Sequence, residues 1–195
     1  KDRNFRRIWI AGSLGWMMRW LELLAVGVFT FEVTGSALMV ALLTMVRMLP
    51  MLLFSAFTGA IADRFDRRLM LLWGLGSLAV VSAILATLSL TGLLELWHVA
   101  VGAFASGVYM TLEFPVRRTM LGIIAGAKAG TGGAGMAMTL DSGSNHCMRL
   151  VGPIVGGLLL ETYGLPGVYV LGTTMFTIGF LMVLGARYEV AGHTG

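Results

Sequence analysis

Six long apolar runs separated by short turns dominate this chain of 195 residues. Crossing about 30 Å of hydrocarbon takes roughly 20 helical residues. Runs at 8–31, 37–62, 69–90, 97–116, 134–160 and 167–185 are long enough or nearly so. The connections carry turn formers: Thr34 to Ser36, Asp63 to Arg68, Thr91 and Gly92, Gly126 to Gly133, and Tyr163 to Pro166. Inside a bilayer the backbone must satisfy its own hydrogen bonds, which leaves helices or closed barrels. Barrel strands alternate over about ten residues, and these runs are longer and continuously apolar. The expected fold is therefore all-α, a single polytopic membrane domain over 1–195 with six transmembrane helices. Only 12% of residues are charged and the mean hydropathy is +0.84, against about 25% charged in soluble domains. With 27 glycines and 4 prolines, the helices are expected to pack closely through small residues.

A net charge of +4 could suggest nucleic acid, but the positions of the charges point to topology. Lys1, Arg3, Arg6 and Arg7 precede the first run, and Arg64, Arg67 and Arg68 follow the second. Arg117, Arg118 and Lys128 follow the fourth, and Arg187 follows the sixth. The opposite turns hold Glu32, Glu95 and Glu161 and no Lys or Arg. Basic loops stay inside, so both termini are expected to be cytoplasmic, in the cell (inner) membrane. Membrane lipids are the expected surroundings and nucleic acid is not an expected partner. The first run is too long for a cleavable signal peptide and is expected to act as its own insertion signal. The chain opens on Lys1 rather than Met, as a trimmed chain would. A lone cysteine, Cys147, allows no internal disulfide, and His98, His146 and His193 are far apart. No metal site, cofactor or enzymatic nucleophile–base pair is expected.

Six ionisable residues lie within the runs: Arg19, Glu22, Arg47, Glu113, Asp141 and Arg149. Each costs at least about 2.5–3.5 kcal/mol at the centre of a lone helix, so they are expected to pair. Gly15, Arg19 and Glu22 share one helix face, as do Asp141, Asn145 and Arg149, with Gly152 and Gly156 extending the second stripe. One reading is a set of salt bridges that fixes helix packing. The other is a proton or substrate pathway through Arg19, Glu22, Arg47, Glu113, Asp141, Asn145 and Arg149, with Glu22 and Asp141 as titratable carriers. Moving an arginine relative to a buried carboxylate would load or release a proton. His146 reads as a packing residue. Met17, Met18, Met136, Met138 and Met148 could line an adaptable apolar cavity or simply pack. Trp9 and Trp97 suit interface anchors, whereas Trp16 and Trp20 lie too deep for that belt.

Residues 59–68, GAIADRFDRR, resemble the signature loop of the major facilitator superfamily, G-x-x-x-D-R-x-G-R-R. Gly59, Asp63, Arg64, Arg67 and Arg68 match it, and Asp66 stands where the family has glycine. In that family the loop joins helices 2 and 3 on the cytoplasmic side. Gly143, Gly152, Pro153, Gly156 and Gly157 resemble the helix-5 motif of the family's antiporters, especially its drug exporters; read alone they are also a small-residue packing face. The segment TGSALMVALLTMVRMLP, residues 34–50, resembles the helix 1–2 region of proton-coupled drug and siderophore exporters. The family's mid-helix-4 arginine has no counterpart, and Glu113 lies near the cytoplasmic end of that run instead.

The resemblance implies one half of a twelve-helix fold, built from inverted three-helix repeats. Arg47 with Pro50 and Arg149 with Pro153 would be equivalent positions in those repeats. It also implies secondary active transport by alternating access, with proton-coupled export of small amphiphilic or hydrophobic compounds. Implied partners are the small-molecule substrate, protons and a second six-helix half, which is either a homodimer partner or a missing C-terminal half. In a homodimer, Asp63 of one copy would sit by the start of helix 5 of the other, near Gly132, Gly133 and Ala134. Lipid or lysolipid flipping, and a non-transporting assembly or regulatory subunit, are the alternatives.

Overall fold

The computed structural model describes residues 3–186, without the side chains of 57–64 and 127–131. The side chains of Asp63, Arg64 and Lys128, the local surroundings of Gly59, and all of Lys1, Arg187 and His193 therefore lie outside the described residues. What is described is all-helical: α1 (Arg3–Thr34), α2 (Ala37–Arg64), α3 (Arg67–Leu90) and α4 (Leu96–Leu184). Among the described residues, five stretches are long and apolar enough to cross a membrane: Arg3–Thr34, Ala37–Ala56, Arg67–Leu90, Leu96–Gly126 and Gly132–Leu184.

The ends of α1 and α3 form where the sequence placed turns. Gly35 takes φ +62 and donates its N–H to Phe31 O at 2.8 Å. After α3, Gly92 takes φ +72 while Leu93 N–H reaches back to Leu88 O and Gly92 N–H to Ser89 O. That is a Schellman stop, which requires a left-handed residue and so favours glycine. Before α3, Asp66 occupies the N-cap with φ −61, and its carboxylate accepts the N–H groups of Arg68 (2.8 Å) and Leu69 (3.1 Å). The aspartate that replaces the family glycine thus caps the helix, and the backbone there needs no positive φ. Asp66→Ala is expected to cost about 1 kcal/mol and Asp66→Gly only a few tenths, read as melting of the detergent-solubilised protein.

One turn differs from expectation in its backbone. Residues 126–133 keep helical hydrogen bonding, and α4 runs from Leu96 to Leu184 with a left-handed Gly164 inside the expected turn at 163–166. A straight helix of that length would reach about 130 Å, yet its parts touch. Arg117 pairs with Asp141, a Cβ on Gly122 would meet Met138 Cε at 3.3 Å, and one on Gly126 would meet Ala134 Cβ at 4.0 Å. These contacts centre near residue 130, so the chain bends back there while its helical hydrogen bonding persists. The second bend lies at Gly164, with φ +63, two residues before Pro166. Gly156 packs on Leu21, and beyond the bend Gly172 reaches Met18 and Gly179 reaches Ala11, so the chain runs back along α1.

α4, folded back on itself, packs against all three other helices. Ile8, Ala11, Met18, Leu21 and Ala25 of α1 are buried with Leu71, Leu75 and Leu78 of α3 and Val116, Met120, Val168 and Phe176 of α4. α2 is the least covered, with Met45, Leu49, Leu52 and Leu53 exposed, a surface suited to lipid or another apolar partner. At one end, Arg68 donates to the carbonyls of Val183 (3.3 Å) and Leu184, and Arg7 donates to that of Gly185. The final carbonyls of a helix lack intrahelical donors and carry the negative end of its dipole. Two basic residues that mark topology therefore also cap α4.

Candidate functional site

A first charge cluster joins three helices at mid-length. Glu22 of α1 and Arg47 of α2 lie 3.6 Å apart, both buried. Ser106 of α4 bridges them, donating to Glu22 Oε2 at 3.4 Å and lying 3.5 Å from the Arg47 guanidinium. Arg47 also donates to the Arg19 carbonyl at 3.4 Å. α2 and α4 approach this closely because residue 107 is glycine: a Cβ there would fall onto the Arg47 carbonyl and within 3.1 Å of Pro50. A cavity of about 20 Å³ opens beside the cluster, lined by Glu22, Arg47, Ser82, Ser106, Tyr169 and Phe176. A second of the same size, lined by Trp16, Arg19, Glu22, Arg47, Tyr109 and Glu113, leads away from it. Each is large enough for one water molecule. Among the described residues nothing accepts from Arg47 Nε or Trp16 Nε1.

The second cluster corrects an expectation. The basic-loop pattern puts Arg117 and Arg118 in a loop after a helix ending at 116, but α4 carries on past them and Arg117 is only 1% exposed. Arg117 donates to Glu113 one turn earlier and to Asp141 across the bend, and Arg118 lies 3.5 Å from Asp141 and 3.4 Å from Ser142 Oγ. Two carboxylates make burial of this arginine tolerable where one alone would leave charge unbalanced. The Glu113–Arg117 spacing of four was a legible signal of a helical pair. The Arg117 guanidinium also lies 5.5 Å from the Trp16 ring centroid, and a Cβ on Gly12 would meet it at 2.5 Å.

Arg19 and Arg149 fall in neither cluster. Among the described residues neither has a carboxylate within 4.0 Å. Both stack on Trp20 instead, at 5.7 and 5.0 Å from its ring centroid, and Arg19 lies 5.0 Å from that of Trp16. Trp20 Nε1 donates to Asn145 Oδ1 at 3.3 Å. Of the small residues 143–157, Gly152 and Gly156 meet α1. A Cβ on Gly152 would lie 2.8 Å from Trp20 Cβ and 2.9 Å from Met17 O, and one on Gly156 would lie 3.1 Å from Leu21. Gly143 and Gly157 face open space, and Pro153 is half-buried between them in sequence. His146 and Cys147 are exposed. Among the described residues no group of three His, Cys, Asp or Glu side chains converges as a metal site would require.

The whole arrangement is a multi-pass membrane domain with buried ion pairs between its helices. Residues 1–192 match the family described as transmembrane secretion effector. The chain is 24% identical to the staphyloferrin A transporter of Staphylococcus aureus, over 88% of this chain and 42% of that protein. It is 24% identical to the uncharacterized MFS-type transporter YfiS of Bacillus subtilis, over 84% of this chain and 37% of that one. With macrolide efflux protein A of Streptococcus pyogenes it shares 23% identity, over 95% of this chain and 47% of that one. The chain thus spans less than half the length of the curated relatives it matches. By the family match over nearly its whole length, it belongs to the transmembrane secretion effector family of major facilitator transporters.

Proposed function

We propose that this chain is a six-helix half of a proton-coupled exporter of small amphiphilic or hydrophobic compounds that works by alternating access. The left-handed Gly164 and the paired contacts around residue 130 support dividing α4 into three crossings. That gives six crossings, arranged as inverted three-helix repeats, with both termini on the cytoplasmic side. The second half is another copy or a C-terminal half. In either case the signature loop with Gly59, Asp63, Arg64, Arg67 and Arg68 faces it at the cytoplasmic end. Relatives named for a siderophore and for macrolide efflux favour export of a small organic compound.

The observation that carries the reading is the Glu22–Arg47–Ser106 cluster. Its contacts of 3.4–3.6 Å are loose and come from three different helices beside a cavity. Sliding α2 against α1 changes the distance from the Glu22 carboxylate to its only cation within 4.0 Å among the described residues. The proton affinity of the carboxylate changes with it, which is how proton binding and helix motion become one event. Asp141, held by two arginines, serves the Arg117 network and is the less mobile carboxylate. The test is ethidium accumulation by inverted vesicles under an imposed proton gradient. Glu22→Gln should abolish accumulation while the protein still folds, with a lowered melting temperature because Arg47 stays buried without a carboxylate within 4.0 Å among the described residues. Full gradient-driven activity of Glu22→Gln would overturn the assignment, and inactivity of the parent toward cationic and anionic compounds alike (ethidium, macrolides and fluorescein) would overturn export.

A further inference from the structure

Away from the ends of the apolar stretches, the described residues include five arginines (Arg19, Arg47, Arg117, Arg118 and Arg149) and three carboxylates (Glu22, Glu113 and Asp141). The carboxylates are taken: Glu22 by Arg47, and Glu113 and Asp141 by Arg117 and Arg118. The two arginines left over meet at the same aromatic ring. Because both guanidiniums stack on Trp20, their separation cannot exceed the sum of their two distances to its centroid. Arg19 is half-buried and Arg149 exposed, each in the middle of an apolar stretch. One helical turn before Arg19, Gly15 leaves open space where a side chain would stand. The Asn145 amide, hydrogen bonded to Trp20, fixes that ring between the α1 and Gly132–Leu184 stretches.

From this placement we infer that Arg19, Arg149 and Trp20 form a subsite for an organic anion, a compound with at least one carboxylate on an aromatic or apolar body. The inference rests on the transport reading and sharpens its substrate class. A guanidinium presents parallel N–H donors that match a carboxylate in a fork, and its planar charge stacks on indole. Arg19 draws only longer-range compensation from Glu113, with which it lines the second cavity, and a cation in hydrocarbon is expensive, so a bound anion gains there what it would not gain in water. The half-buried Trp20 offers the apolar body the part of its ring that the two guanidiniums leave uncovered, whereas Trp16 is buried beneath Arg19, Arg117 and Phe114 and takes no part. Arg47, Arg117 and Arg118 are unsuited to the same task because their charge is already matched inside the protein.

The test uses two dyes of similar aromatic size, fluorescein as the dianion and ethidium as the cation, with the protein in its native membrane complement. Binding of fluorescein is measured by fluorescence polarisation in detergent, and transport of both dyes in inverted vesicles. Arg19→Gln and Arg149→Gln should each weaken fluorescein binding about tenfold or more, in line with losing a charge-assisted hydrogen bond, and the double variant should lose it. Without dye, both variants should melt at or above the parent temperature, because an unmatched charge has been removed. Lower melting temperatures together with unchanged fluorescein binding would overturn the subsite, and would mean that a carboxylate of the second half holds these arginines. Gradient-driven ethidium transport with no fluorescein binding by the parent would also sink the anion subsite and leave the transport reading standing. No transport of either dye would count against the transport reading itself.

Discussion

Arg117→Met is expected to destabilise the domain by about 3–5 kcal/mol, the usual cost of removing one partner from a buried ion pair. The substitution leaves Glu113 without a cation within 4.0 Å among the described residues and leaves Asp141 with the half-exposed Arg118 alone. The triple replacement Glu113→Leu, Arg117→Met, Asp141→Leu should recover much of that loss, since buried ionic networks can often be exchanged for apolar side chains at little net cost. The check is thermal unfolding of parent, single and triple variants in the same detergent. Equal melting of parent and Arg117→Met would show that the network carries no stability, and a triple variant worse than the single would contradict the charge argument.

A second large effect is expected at Gly107. In Gly107→Val the new side chain meets a backbone carbonyl, that of Arg47, and the Pro50 ring. Neither can rotate away as a flexible side chain would, so α2 must move outward. Overpacking typically costs about 1–3 kcal/mol. Here the displacement also pulls Arg47 from Glu22 and Ser106, so a loss of at least about 3 kcal/mol is expected. Gradient-driven transport should fall with it, while Gly107→Ala should give the same signs with smaller size. Parent-like melting and transport in Gly107→Val would show that the α2–α4 contact is not a constraint.

The helices were legible because about twenty consecutive apolar residues leave a chain few options in lipid, and the turns at Gly35 and Gly92 because left-handed backbone selects glycine. The bends near residue 130 and at Gly164 were legible as turn-forming composition. The persistence of helical backbone near residue 130 was not, since hydrogen bonding through a bend leaves no mark in composition; at Gly164 the left-handed backbone is the turn the sequence implied. Counting loop charges put Arg117 outside the membrane, as the rule for basic loops does for any arginine beside a run's end. What that rule cannot see is a carboxylate brought from residue 141 by tertiary contact. Residue counting likewise balanced three bases against three acids, and only the placement of Arg117 and Arg118 exposes the surplus at Arg19 and Arg149. The partnership of Glu22 with Arg47 was half-visible. Both were marked as intramembrane charges needing partners, but which would meet depends on helix rotation. That rotation is fixed by close-packing glycines whose neighbours lie far along the chain.

The contact of Arg7 with the Gly185 carbonyl joins positions 178 residues apart in sequence, and between them α4 packs against all three other helices. α1 is therefore fully enclosed only once the last stretch of α4 is in place. Its Glu22 can find Arg47 once the second helix arrives, but its flank at Trp20 waits for residues 145–156 and its base for the final turn. Until then α1 holds a polar face toward lipid or toward the insertion machinery. Closing this domain depends on contacts between residues far apart in sequence, and loss of the last stretch of α4 would unseat α1 as surely as a lesion within it.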